Sequence, residues 1–383
     1  MSKKEASEKE AKGITRRNFL KYASASAGIT AATLALGKTV ASTLPTAQPP
    51  TKEEFLHGHP TGVAAVSQVE GGMNPMQFLE AFYRGTYNPV TRERTFELTS
   101  APQTIEVARG VQFPAWAFLG PPPNGPTVPG PTLRCSEGDG VRIKFHNGDR
   151  HPHTIHLHGI HPGDADGVFE ELNAGQDYEY RFIADPFGLF LYHCHVMSVK
   201  KHIAKGLYGA FIVDPVDSTG QVTRPPADRE MVMVMNGFDV DFDDENEFYT
   251  VNGIANYYLD NPIRIGVGEL VRIFLVNMTE FDPVNSFHLH GNMFRLYRTG
   301  TRFDTRPEAD WNQITGTTLD ERVKKWLYAD NFAEVTDTVF LGQGERAILE
   351  FIPREIHRGG RFLFHAHQSE FIELGWTGLF KVS

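Results

Sequence analysis

Only two cysteines, Cys135 and Cys194, occur in the 383 residues. A disulfide framework is therefore excluded as the main source of stability. Positive charge is also short: 37 Lys and Arg face 47 Asp and Glu, a formal net charge of -10. No basic cluster offsets that balance, which argues against a nucleic-acid partner. Long apolar runs are missing as well. The mild Ala-rich stretch from Tyr22 to Leu36 is too short and too weakly hydrophobic to span a bilayer, so no stable membrane insertion is expected. Strongly periodic helical stretches are few, whereas Phe, Val, Thr, Gly and Pro are plentiful, a balance that favours a β-rich fold. The length suits two domains, each large enough to bury a core.

The segment Thr15-Arg16-Arg17-Asn18-Phe19-Leu20-Lys21 precedes the apolar stretch and resembles a twin-arginine export signal. Residues 1–41 are expected to be that signal, with the mature protein periplasmic or extracellular. Residues 42–94 read as a leader: Pro45, Pro49, Pro50 and Pro60 oppose regular structure at its start, and Pro75 to Arg84 is compatible with one short helix. From Thr95 the pattern alternates, as in Thr95-Phe96-Glu97-Leu98-Thr99 and Val141-Arg142-Ile143-Lys144-Phe145. Such alternation puts one strand face on a core and the other in solvent.

An internal repeat organises the rest. Gly138-Asp139-Gly140-Val141-Arg142-Ile143 returns as Gly268-Glu269-Leu270-Val271-Arg272-Ile273. His156-Leu157-His158-Gly159 returns as His288-Leu289-His290-Gly291, and Gly188 to His195 returns as Gly360 to His367. The order is the same in both halves, and the last gap grows by about 40 residues in the second. Two copies of one β-domain are expected, at 95–215 and 229–383, joined by the polar linker 216–228 and with an insertion in the second near 297–334.

The repeat carries four His-X-His pairs: His156/His158, His193/His195, His288/His290 and His365/His367. On a strand, residues i and i+2 share a face, so each pair can aim two imidazoles at one metal cluster. One such pair arises easily by chance; four in matching register do not. Cys194 lies between His193 and His195 and so points the other way. With His153 upstream and His202 downstream it offers one thiolate and two imidazoles, the donor set of a blue-copper electron-transfer site.

These motifs, together with Pro129-Gly130-Pro131-Thr132-Leu133-Arg134, resemble the multicopper oxidases, specifically their two-domain members, over roughly residues 95–383. The resemblance implies an all-β fold of two cupredoxin-like Greek-key barrels and four coppers per subunit. By motif, His153, Cys194 and His202 would bind type 1 copper, and His156 and His288 type 2. His195, His290 and His365 would hold one type 3 copper, and His158, His193 and His367 the other. Dioxygen and a small reducing substrate or redox partner protein would be the reactants, and the subunits would form a homotrimer with the clusters at their interfaces. Asp166 resembles an acidic position near the cluster in relatives and would relay protons; it fits equally well as the first residue of an Asp-Gly turn. Where many relatives carry an axial Met, this chain has Leu207, with Met197 as the competing candidate. In the second half, Asn285 and Ala366 replace the equivalents of His153 and Cys194, so one blue copper per chain is expected.

Two other functions remain. A copper-containing nitrite reductase shares the two-domain build but needs only three histidines at its catalytic copper. A blue-copper electron carrier would leave the second half's histidines without a task. Among other residues, His161 sits close to the first motif, where it would border the cluster or a substrate path, but a solvated loop is the favoured expectation; Cys135 is expected as a structural thiol. Met231, Met233 and Met235 are expected to pack in a core, and the acidic run Asp239 to Glu247 to lie in solvent.

Overall fold

The computed structural model describes residues 67–69, 72–122, 127–298, 300, 310–329 and 333–383. The expected export signal, most of the expected leader and the middle of the insertion lie outside the described residues.

Strands dominate. The first half carries β1 (Phe82–Tyr83), β2 (Thr86–Asn88), β3 (Glu93–Ala108), β4 (Val111–Leu119), β5 (Thr132–Ser136), β6 (Gly140–Asn147), β7 (His156–Leu157), β8 (Asp177–Ile183), β9 (Gly188–His193) and β10 (Tyr208–Asp214). The second carries β11 (Arg229–Phe238), β12 (Phe248–Val251), β13 (Ile263–Ile265), β14 (Val271–Asn277), β15 (Val284–Leu289), β16 (Phe294–Arg298), β17 (Glu334–Thr336), β18 (Thr338–Gly342), β19 (Arg346–Phe351), β20 (Arg361–His365) and β21 (Thr377–Val382). Short helices interrupt them: α1 (Pro75–Phe78), α2 (Val199–Ala204), α3 (Tyr257–Asp260), α4 (Leu319–Ala329) and α5 (Ser369–Glu373).

Each half folds into two sheets. The first has the orders β1-β5-β10-β9-β7 and β2-β3-β6-β8, with β4 paired to β3; the second has β13-β21-β20-β15-β18 and β12-β11-β14-β19-β16-β17. The sequence repeat is a repeat of pairing. Parallel β3–β6 is matched by parallel β11–β14, and antiparallel β6–β8 by β14–β19. Parallel β5–β10 is matched by β13–β21, and β7–β9 by β15–β20. The fold is all-β, as the alternating pattern implied.

Strand pairing begins before Thr95. Asn74 caps α1 in a reciprocal box with Gln77, but the helix stops at Phe78 rather than running to Arg84. Phe82 and Tyr83 instead pair with Thr132 and Leu133, where backbone groups gain ladder partners.

Alternation holds where one face meets solvent: Val141, Ile143 and Phe145 of β6 are buried while Lys144 is exposed. It fails in β10 and β14, which are buried throughout. The reason is a third core. One cluster fills the first half and another the second, with Met231, Met233 and Met235 inside the latter. Between them Leu189, Leu191, Ala210 and Ile212 pack with Val232, Val234, Phe274 and Val276. Sheet faces that would otherwise be wet cover each other, so both faces select apolar side chains.

Buried charges cross the same boundary. Arg134 forms two hydrogen bonds to Asp214, at 2.8 and 2.9 Å, and one to Glu230 at 2.6 Å. Arg272 bridges Glu230 (2.8 Å) and Glu350 (2.7 Å), and Arg224 also pairs with Asp214. Burial opposes ionisation of Glu230, but Arg134 and Arg272 outweigh it and hold its carboxyl down to about 2. Asp214→Asn leaves two buried guanidinium groups short of charge and is expected to destabilise the chain by about 3–5 kcal/mol. Chemical denaturation checks this; a loss within error of zero would show that the network contributes nothing.

Candidate metal centres

The first centre lies inside the first half. His153 follows β6 in a loop, Cys194 follows the last residue of β9, and α2 presents His202. All three are buried, although no neighbour in the primary sequence demands it. Cys194 Sγ is 3.1 Å from His202 Nδ1 and 3.8 Å from His153 Nδ1, and the two Nδ1 atoms are 3.2 Å apart. Thr154 N–H donates to Sγ at 3.4 Å. Burial pushes the Cys194 thiol up to about 11, and burial followed by the proximity of His153 pushes His202 down to about 4. Burial also lowers His153, against the pull of Asp149. The imidazoles are therefore neutral with lone pairs available, and a cation would draw off the thiol proton.

Asp149 and Trp116 complete this centre, and sequence reasoning missed both. The Asp149 carboxylate faces His153 Nε2 at 3.4 Å and His151 Nδ1 at 3.1 Å. A proton on the His153 Nε2 frees Nδ1 to face the thiol, the usual task of a carboxylate behind a ligand. Trp116 meets the rings of His151, His153 and His202 at centroid distances of 4.7, 5.2 and 4.9 Å. Met197 is 79% exposed and so turned from the buried triad, whereas Leu207 packs in the same core as Cys194.

The second and third groups are counterparts. His156 pairs across strands with His193, and His288 with His365, in equivalent registers. His158 Nε2 lies 2.9 Å from His193 Nε2, and His290 Nε2 2.8 Å from His365 Nε2. The opposite ring nitrogens are occupied: His193 Nδ1 donates to Cys194 O and His365 Nδ1 to Ala366 O. His156 Nδ1 donates to Asp166 O at 2.7 Å, and His288 Nδ1 lies 3.0 Å from Asp337 O. The Nε2 atoms of His156, His193, His288 and His365 are thus left as lone-pair donors, an arrangement suited to metal. Burial first, then the surrounding imidazoles, pushes His158 to about 3. His195 and His367 border the same groups, with rings 5.2 Å from His156 and 5.3 Å from His288. The donor sets fit copper: imidazoles alone in two groups, imidazoles with a thiol in the first.

Within one chain these two groups do not meet. No ring contact among the described residues joins a first-half histidine to a second-half one. His158 instead approaches Gly344, where an added Cβ would lie 3.6 Å from its Cε1. Gly344 follows the Gly342 end of β18, but His288 pairs with Thr338 at the other end, about 13 Å along the strand.

Asp166 sits beside the second group, its carboxylate 3.0 Å from His156 Nδ1 and 3.5 Å from His161 Nε2. The backbone there has room only for glycine: Gly167 has φ +72° and a Cβ would strike Ile155 O. His161 lies in a loop, as expected, and is half-buried, but it also borders the group: its ring contacts that of His156 at 5.2 Å. Asp337 plays a related part beside His288. Its signal was hidden because the contact comes from the residue between two strands, 49 positions away. The insertion's helix α4 walls a cavity of about 770 Å³ against His288 and His290, with Asp320, Glu321, Lys324 and Asp337 in its lining.

Multicopper oxidase family models match residues 124–218 and 224–383. A solved multicopper oxidase is 42% identical, covers 84% of this chain and 100% of its own, and superposes with a TM-score of 0.69. A probable nitrite reductase-hydroxylamine oxidoreductase fusion protein of Kuenenia stuttgartiensis is 28% identical over 317 residues, 75% of this chain and 31% of that protein. The copper-containing nitrite reductase of Neisseria gonorrhoeae is 29% identical over 225 residues, 53% of this chain and 54% of that protein. The chain thus spans about a third and about half the length of these two relatives. Family models that meet near the junction of the repeat, and an alignment running the full length of a solved relative, place this chain among the multicopper oxidases, a family of copper oxidoreductases.

Proposed function

We propose that the chain couples one-electron oxidation of a reducing substrate, phenol-like or a metal ion, to four-electron reduction of dioxygen to water. The observation that carries this reading is the pair of matched histidine groups, four imidazoles in each half, besides the separate thiol-containing triad. Copper, when bound, would supply the redox chemistry: His153, Cys194 and His202 would hold the type 1 copper that accepts electrons, and the paired histidines would hold the coppers at which dioxygen is reduced. His156 and His288 would hold type 2 copper. The close pair His158 and His193, with His367, would hold one type 3 copper, and His290 and His365, with His195, the other. The chain from Cys194 to His193 and His195 links the triad to the cluster covalently.

Because no ring contact among the described residues joins the two histidine groups within one chain, the cluster is assembled between the first half of one subunit and the second half of the next. Repetition of that heterologous contact closes as a homotrimer. Asp166 relays protons to the cluster, its carboxylate being held next to His156 and His161. The boundaries at 95–215, 216–228 and 229–383 delimit two cupredoxin barrels and their linker, and residues 1–41 direct export to the periplasm or beyond. No helix among the described residues is long and apolar enough to cross a membrane.

Nitrite reduction is the second reading, favoured by the relatives of that name. Metal analysis separates the readings: about four coppers per chain for the oxidase, about two for a nitrite reductase, about one for an electron carrier. In an oxygen electrode the oxidase consumes dioxygen when given a phenolic or metal-ion reductant, and Asp166→Ala slows it about 10²-fold or more with the blue colour kept. Nitrite-dependent electron consumption without oxygen uptake would overturn the proposal.

A further inference from the structure

A cavity of about 310 Å³ lies against the outer face of α2, between the two halves. Its position follows from helical spacing. His202 and Ile203 face inward, while Lys200, Lys201, Ala204 and Lys205 line the cavity. The same short helix therefore carries a ligand of the first centre on one face and a pocket wall on the other. Trp116 joins the two, meeting the His202 ring at 4.9 Å and Lys201 Nζ at 5.5 Å.

The lining is aromatic and cationic. Phe113 and Phe242 have ring centroids 6.0 Å apart, and Phe281 closes another side. Lys205 Nζ lies 4.2 Å from the Phe242 ring and 5.0 Å from that of Phe113, and donates one hydrogen bond, to Pro114 O. An ammonium has three donors, so capacity remains. Two carboxylates reach the lining, and both are committed: Asp244 pairs with Lys200 at 2.8 Å, while buried Asp239 accepts the backbone N–H groups of Asp243 and Asp244. Asp241, Asp243 and Glu247 line no part of the cavity. Among the described residues Lys201 and Lys205 form no close ion pair, and the nearby charge of buried Asp239 acts on Lys205 without contact.

We propose that this cavity is the reductant site and that it takes single-ring aromatic carboxylates, phenols bearing a carboxyl group, with the ring on Phe113 and Phe242 and the carboxylate at Lys201 and Lys205. The volume is at the lower end for small-molecule sites, which suits one ring. The three ammonium groups of Lys200, Lys201 and Lys205 against the two carboxylates of Asp239 and Asp244 leave the lining net positive, which disfavours metal cations such as Fe(II), Mn(II) or Cu(I) and favours anions. Apolar stacking alone would accept any phenol; charge selects the carboxylated ones. That the occupant is the electron donor rests on the oxidase reading above; that the cavity binds such anions does not.

The copper-loaded full chain, without oxygen, is titrated calorimetrically with 4-methoxybenzoate, which has no phenolic proton to lose, and with its uncharged methyl ester. The anion is expected to bind about tenfold tighter, with the advantage shrinking as salt rises. Lys201→Gln is expected to remove most of that advantage and to lower the kcat/KM ratio of 4-hydroxybenzoate over phenol about tenfold. Lys201 neighbours a ligand, so the blue absorption is measured in the variant; if it is disturbed, Phe242→Ser, at a side chain 55% exposed, decides by weakening both compounds. Equal affinity for anion and ester, or anion binding unchanged in both variants, overturns the assignment. Anion binding without any oxygen uptake overturns the oxidase reading and leaves the cavity standing; oxygen uptake without anion preference does the reverse.

Discussion

Cys194→Ser is expected to abolish the intense blue absorption and to lower oxygen consumption with any reductant by at least about 10³-fold, about 4 kcal/mol of barrier. The argument starts from donor chemistry. Two imidazoles with an alkoxide or water form an ordinary copper site, and only a thiolate gives the soft, strongly covalent bond of a blue one. Nothing else can supply it, because Cys135, the only other cysteine, lies on β5 and takes no part in the triad. The substitution also removes the atom nearest to His202 Nδ1 and, with it, the shortest covalent route from the triad to His193 and His195. Serine is nearly isosteric, so the histidine groups should stay loaded, with about three coppers remaining per chain. Absorption spectra, metal analysis and oxygen uptake on one preparation test this together. A variant that stays blue would remove Cys194 from the centre, and one that loses all copper would show a folding defect, which a circular dichroism spectrum identifies.

How much of this is legible in the sequence depends on the range of each interaction. His-X-His pairs and the flanking of Cys194 are local, set by the two-residue period of a strand, and the repeat multiplies the signal. The placement of His156 opposite His193, and of His288 opposite His365, follows that period. Trp116 and Asp149 were not legible. Trp116 reaches the first centre from β4, distant in sequence from both His153 and His202. Asp149 lies only four residues from His153 but in a loop, where spacing does not fix direction. His161 was read as solvated for the same reason, and it is Gly167 that folds the loop back to bring Asp166 between it and His156. The uninterrupted burial of β10 and β14 comes from contact between halves, which no alternation pattern within one half encodes. Likewise the described part of the insertion could be recognised as extra chain, but only its packing puts α4 over His288 and His290.

Two inactive variants are expected to restore activity to one another. The first, His156→Ala with His158→Ala, spoils every first-half group; the second, His288→Ala with His290→Ala, spoils every second-half group. Each alone should lose oxygen consumption by at least about 10³-fold while keeping the blue colour, because the triad of His153, Cys194 and His202 is untouched. When the two are expressed together, a subunit with an intact first half can sit next to one with an intact second half. With random assembly about a quarter of the interfaces in a trimer bring both intact groups together, so the mixture should recover about a quarter of wild-type turnover. A cluster built within one chain predicts no recovery, since every chain in the mixture carries a defect. The geometry favours recovery: His158 turns toward Gly344 at one end of β18, whereas His288 lies at the other. A mixture as inactive as its parents, in particles that light scattering shows to be trimers, would exclude the shared cluster; a monomer by light scattering would exclude it without any assay.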